Sequence, residues 1–336
     1  DKEETYAVRN AMGTGPYVVK QRDPDVRTVL TKNPTYWGAK EFPDYPDELV
    51  YTPIKEPATR VAALISGQVD FVLDAPLQDI ARIRQTPGLK TEETAQVRSI
   101  FLGLDMGSAE LKYSDVKGKN PFADKRVRQA MYQAIDMDAI KAKVMRNFSA
   151  PAGIVTAPGV HGYTKELDKR LKYDVAAAKK LMAEAGYPNG FDIELGAYIP
   201  YKEITEAIAG DLRKVGIRAT VNALPLSVYV KQRGDGKLTT LVAEYPTFSQ
   251  PNMINTMDLF FGGDRDYAND TAIKKIYDEG PKILDDKKRT ELYRQAVDRI
   301  NEQAFIYPLS EMPAVYVHSK DVEIKAGLTS ITEIRP

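Results

Sequence analysis

The amino-acid sequence predicts an α/β fold, and three observations carry the prediction. Short β-type runs alternate with amphipathic helices along the chain. Glycine or proline stands where the best-defined helices stop. At 336 residues the chain exceeds the ~250–300 residues at which a single hydrophobic core stops growing, so two domains are expected.

Taken in order, residues 26–32 (VRTVLTK) alternate apolar and polar, as a half-buried strand does. Residues 59–67 form a helix with Val61, Leu64 and Ile65 on one face and Gly67 as its stop, and a strand resumes at 69–73. A helix over 76–86 and a strand over 99–105 (SIFLGLD) follow. Asp174 can cap a helix whose inner face is Ala178, Leu181, Met182 and Ala185, closed by Gly186 and Pro188. Strands at 191–197, 217–223 and 239–244 alternate with helices at 201–216 and 226–233. The first of these helices carries Ile204, Ile208, Leu212 and Val215 on one face. A helix over 285–303 turns Leu292, Ala296, Val297 and Ile300 inward. Small-residue loops at 105–120 and 150–159 are the candidate domain breaks.

Composition narrows the function. Forty-seven basic residues balance forty-seven acidic ones, so nothing marks a nucleic-acid or anionic-membrane surface. No apolar run approaches the ~18 residues of a membrane span. Without cysteine there is no disulfide, thiolate metal site or cysteine nucleophile. No Gly-x-Ser-x-Gly elbow, His-Glu-x-x-His pair or Walker loop occurs. Gly13-Thr14-Gly15-Pro16 lacks the third glycine of a dinucleotide loop, and Pro16 removes a phosphate-binding N–H. Asp264-Arg265-Asp266 reads as a solvated turn, because Lys275 stands where a calcium loop needs glutamate. His161 and His318 are isolated and are read as structural. Asp285 and Asp286 suit a helix dipole at its amino end. No cofactor or metal is expected. A dispersed Ser-His-Asp triad, whose members meet only in space, stays open as the enzyme alternative.

Five segments, in order, resemble the bacterial extracellular solute-binding proteins of family 5, the receptors of peptide, nickel and related ABC transporters. They are Gly13-Thr14-Gly15-Pro16-Tyr17; Asn33-Pro34-Thr35-Tyr36-Trp37-Gly38; residues 63–71 (ALISGQVDF); residues 121–136 (PFADKRVRQA, ending in Ala134-Ile135-Asp136); and residues 177–190 (AAKKLMAEAGYPNG). The resemblance implies an α/β, two-lobed periplasmic-binding-protein-like fold of class II, cluster C type, with a hinge between the lobes. Residues 1–103 would belong to lobe one, 104–309 to lobe two, and 310–336 would return to lobe one. The GTGPY turn lies farther from the start in family members, so the chain is expected to be their C-terminal two-thirds, with the N-terminal part of lobe one absent. Trp37 would be a packing anchor.

The function implied is capture of a small solute and its delivery to ABC permease subunits, without catalysis. Localisation would be periplasmic or extracellular, with membrane contact only through a lipid anchor in the absent part. In α/β lobes ligands bind at the carboxyl ends of strands, which singles out Tyr198 and Tyr201 after one strand and Glu244, Tyr245, Thr247 and Phe248 after another. Packing of the lobe's own loops is the alternative reading of each. The second segment is similar to the family's specificity loop, W-x-x-D-x-x-D-P. Aligned on Pro251, Thr247 stands at the aspartate that pairs with a peptide's amino terminus, Gln250 at the second aspartate, and Glu244 at the tryptophan. A buried ammonium needs a carboxylate partner, so a sugar, opine or other polar solute fits as well as a peptide. A nickel complex fits less well, since the loop has no histidine.

Overall fold

A computed structural model of the chain describes residues 10–41, 45–73, 75–160, 162–246, 252–262 and 266–324. These residues form two compact units. Unit 1 holds residues 10–94 and 314–324, and unit 2 holds 95–313. Within the described residues the chain changes unit twice, each time inside a strand.

Unit 1 begins with an antiparallel meander of β1 (Tyr17–Asp23), β2 (Arg27–Lys32) and β3 (Glu48–Tyr51). Two of the sequence motifs meet here. Asn33 donates its side-chain amide to Gly15 O at 2.9 Å, and its Oδ1 accepts from Thr35 N and Thr35 Oγ1. Asn33 is therefore the buried anchor of this turn, whereas Trp37 is 75% exposed and, among the described residues, has the neighbouring Tyr36 ring as its aromatic partner. The packing role expected for Trp37 is corrected accordingly: the turn is closed by polar bonds, which leave the indole outside. Helix α1 (Pro57–Ile65) buries Val61, Ala63 and Leu64. It ends as glycine allows, with Gly67 at φ +74° and Gln68 N bonded back to Ala63 O. After β4 (Phe71–Val72), α2 (Ile80–Arg84) leads into β5 (Leu89–Leu104). Unit 1 is completed by the end of the last strand, whose Val317 and His318 pair with Val72 and Phe71.

Unit 2 continues through α3 (Lys125–Ala134), α4 (Met137–Lys143), β6 (Ala150–Pro151), α5 (Val175–Glu184), β7 (Asp192–Tyr198), α6 (Lys202–Arg213), β8 (Arg218–Leu224), α7 (Leu226–Gly234) and β9 (Thr240–Pro246). It ends with α8 (Ile254–Phe260), α9 (Thr271–Glu279), α10 (Asp286–Gln303) and β10 (Ile306–Ser319). Its mixed sheet has the order β10-β5-β9-β7-β8, with β6 paired to β10. β5 runs antiparallel to β9, and β7 runs parallel to both β8 and β9. Alternate residues of each strand serve opposite faces. Phe101, Leu241 and Ala243 join Met257 and Phe260 of α8, Ile273 of α9 and Tyr293, Val297 and Ile300 of α10 in one core. Gly103 permits that contact, because a Cβ there would lie 2.2 Å from the Phe260 ring.

The PFADKRVRQA stretch is a fastener. Asp124 caps α3 by accepting from Arg126 N. Arg128, 4% exposed, donates to Phe122 O, Ala123 O and Gln303 O at 2.7–3.1 Å and lies over the Phe305 ring. Gln303 ends α10, so the guanidinium meets a carbonyl left without a helical partner. Burial pushes the Arg128 pKa down to about 10. The loops proposed as domain breaks are interior to unit 2. Ile154, Val155 and Ala157 are buried in its core. Asn120 ties residues 105–120 together by donating to Asp105 O and Ser108 O at 2.8 Å.

Candidate functional site

The sheet of unit 2 has a carboxyl edge at which four strands bring their ends together. Ala197 of β7 is in register with Val242 of β9, so Tyr198 and the end of β9 reach the same edge. Tyr198 is also level with Leu224 of β8. β5 enters from that edge, with Arg98 opposite Pro246, Ser99 opposite Tyr245 and Ile100 opposite Glu244. After Tyr198 the chain makes a short turn through Ile199 and Pro200, and Tyr201 stands at the head of α6. Proline at the turn and the apolar face of α6 (Ile204, Ile208 and Leu212) fix where that helix starts.

The Tyr198 and Tyr201 rings pack edge to face at 5.5 Å. Tyr198 is half-buried against the core below, and Tyr201 is 6% exposed. Arg98, half-buried on β5, donates Nη2 to the Tyr201 hydroxyl at 3.3 Å. Its neighbour Ser99 is wholly buried, with a hydroxyl that has no hydrogen-bond partner. The edge therefore gathers two aromatic rings and a guanidinium at the strand ends, residue types suited to orienting a polar solute against apolar surface.

Of the residues singled out from sequence, Tyr198 and Tyr201 are in contact, and the backbones of Glu244 and Tyr245 lie at the same edge. Thr247 and Phe248, with Gln250 and Pro251, lie outside the described residues, as does His161. Sequence reasoning missed Arg98 and Ser99. Their only signal was an arginine and a serine opening the apolar run IFLGL.

Other polar groups are engaged elsewhere. At the opposite, amino edge of β7 and β8, an open groove of about 600 Å³ is lined by Tyr113, Asp192, Glu194, Arg213 and Arg218. Arg218 there pairs with Asp115 at 2.9 Å and with Asp192. On β10, half-buried Glu311 has its carboxyl raised above the usual range, first by burial and then by nearby Asp168. Asp168 accepts from Gly153 N at 2.5 Å and from the Tyr163 hydroxyl. In unit 1, His318 is 1% exposed, with Nδ1 2.8 Å from Ser319 O and Nε2 3.7 Å from Glu92. Among the described residues no three metal-ligating side chains cluster, and no helix is long and apolar enough to cross a membrane.

Comparison with known proteins matches the chain to a family. Residues 1–268 match the model of bacterial extracellular solute-binding proteins, family 5 (middle). The chain is 26% identical over 328 residues to heme-binding protein A of Haemophilus influenzae, covering 92% of this chain and 56% of that protein. It is 28% identical over 309 residues to the dipeptide-binding protein of Escherichia coli, covering 88% and 55%. The chain thus spans little more than half the length of these relatives. Among solved structures, the periplasmic binding protein DppA of Helicobacter pylori in complex with peptide STSA superposes with a TM-score of 0.82 at 24% identity, covering 95% of this chain and 61% of that one. The binding protein AgaA of A. tumefaciens R10 in complex with agropinic acid superposes with a TM-score of 0.77 at 25% identity, covering 98% and 66%. The α/β architecture is that of the periplasmic binding proteins, and the chain belongs to the bacterial extracellular solute-binding proteins of family 5.

Proposed function

We propose that the protein captures a small solute outside the cytoplasm, in the periplasm or at the cell surface, and delivers it unchanged to the permease of an ABC importer. Capture proceeds by hinge closure of the two lobes. The observation that carries this reading is the carboxyl edge of unit 2, where Tyr198, Tyr201 and Arg98 lie together at the end of a sheet with the architecture of that receptor family. The protein makes and breaks no covalent bond in this role. A peptide or peptide-like solute is the first reading, supported by relatives named for dipeptide binding. An opine or similar solute is the second, favoured by Thr247 in place of a carboxylate and by the likeness to a protein solved with agropinic acid. Native mass spectrometry of the full-length protein as purified tests the proposal. A bound small molecule of unaltered mass is expected, and recovery of a chemically altered ligand overturns it.

A further inference from the structure

We infer that Asn189 is a deamidation site that folding keeps closed, and that its isoaspartyl product, once formed in an unfolded chain, cannot rebuild the turn it came from. The sequence has one Asn-Gly pair, Asn189-Gly190, and a glycine in second place leaves the attacking nitrogen unshielded by a side chain. In the reaction Gly190 N bonds to the Asn189 side-chain carbonyl carbon and loses its proton, and the amide nitrogen departs as ammonia. Water then opens the succinimide ring at either carbonyl. The products are aspartate and an isoaspartate whose main chain runs through Cβ.

Exposure of the Asn189 side chain is not sufficient, because the reaction also needs Gly190 N. Residues 187–190 form a turn with Pro188 and Asn189 at its centre, and Gly190 N donates to Tyr187 O at 3.0 Å. The nucleophile is thus engaged. Tyr187 is anchored in its turn: it is 9% exposed, and its ring packs edge to face on the wholly buried Phe191 at 5.2 Å. The turn also lies against the backbone of Gly216. A Cβ on Gly190, at φ +69°, would fall 1.9 Å from Gly216 O, and one on Gly216 would fall 2.8 Å from Asn189 C and O. Arg218 adds two bonds, from Nη1 to Asn189 O at 3.2 Å and from its backbone N to Phe191 O at 2.9 Å. Ring closure has to swing the Asn189-Gly190 peptide out of these contacts, so it waits for local opening. The same contacts leave no room for an extra main-chain atom. Isoaspartate would drive Gly190 into Gly216 at the point where β7 and β8 begin to pair. Ordinary aspartate keeps the main chain, and its exposed carboxylate is accommodated.

The test incubates the full-length protein in mildly alkaline buffer, folded and in urea. The Asn189 peptide is followed by mass spectrometry, with isoaspartate separated from aspartate. Deamidation is expected to run roughly tenfold or more slower in the folded protein than in urea, as a reaction that proceeds through opening does. After dilution from urea, chains with isoaspartate at 189 are expected to refold poorly or to melt at a lower temperature than unmodified chains. Asn189→Asp, which fixes the other product, is expected to refold and melt as the wild type does. Asn189→Ser is expected to pass through the same urea incubation and refold intact. Equal rates in the folded and unfolded states overturn the gating. Isoaspartyl chains that refold and melt like the wild type overturn the effect on the turn. An Asn189→Asp chain that fails as they do makes charge the cause and overturns it too, and so does an incubated Asn189→Ser chain that fails to refold, since the damage then lies elsewhere.

Discussion

Arg128 shows how a buried charge can be held mainly by neutral carbonyls, with Asp124 adding a weaker attraction. Its partners are backbone carbonyls, and one of them belongs to the last residue of a helix, where the dipole is negative. Arg128→Met would leave those carbonyls buried and unpaired, and is expected to cost about 2–4 kcal/mol in urea unfolding. Arg128→Lys is expected to recover little of this, because one ammonium cannot span the Phe122, Ala123 and Gln303 carbonyls. Glu311 is the opposite case, a half-buried carboxyl that holds its proton more tightly than an ordinary one, through burial first and then Asp168. A raised carboxyl means that the folded state holds the proton more tightly than the unfolded state does. Stability therefore falls as pH rises from the ordinary value of 4.5 through the raised one. Glu311→Gln is expected to raise the melting temperature at pH 7 and to leave it unchanged well below pH 4.5. Equal effects at both pH values would show that the carboxyl's charge is not the cause.

At the scale of elements, the chain's punctuation was the legible part. Among the described residues, five helices start from an aspartate whose carboxylate accepts a first-turn N–H: Asp124, Asp136, Asp174, Asp270 and Asp285. Asp174 was readable because an apolar face and Gly186 follow it at helical distance. Asp174→Ala is expected to cost about 1 kcal/mol in chemical denaturation. β5 was less legible: it runs for 16 residues, and only its apolar end looked like a strand, since the first part (LKTEETA) is polar. β1 was hidden by Lys20, Gln21 and Arg22 in an exposed meander, which no periodicity marks. The sheet order was beyond reach, because β9 lies between β5 and β7 through pairings remote in sequence. The same limit applied to the site. The tyrosines could be found because they follow a strand and flank a proline, while the nearness of Arg98 to them shows only once β5 is laid beside β9. Trp37 misled because a motif carries its turn geometry but not its burial. Gly103 shows how tightly the elements fit: Gly103→Ala would press on Phe260 and is expected to cost about 1–3 kcal/mol.

At the scale of the whole molecule, the described part of unit 2 is one stretch of chain between two strand crossings, with a core of its own. If the full-length protein is a receptor, its melting temperature should climb steadily with solute concentration, by an amount equivalent to about 2.7 kcal/mol at 100 times the dissociation constant. Incubation with the same solute should yield no product by mass spectrometry. A melting temperature indifferent to every solute offered would count against the receptor reading.

The Arg128 clamp and the tyrosine pair occupy opposite ends of one sheet. The clamp binds the residue that ends α10 just before β10 begins, and the loop ahead of it is tied to Asp105 beyond the end of β5, whereas the tyrosines stand where β7 ends and β5 enters. On the proposed reading, what makes the scaffold hold and what makes it choose are written in separate words of the sequence.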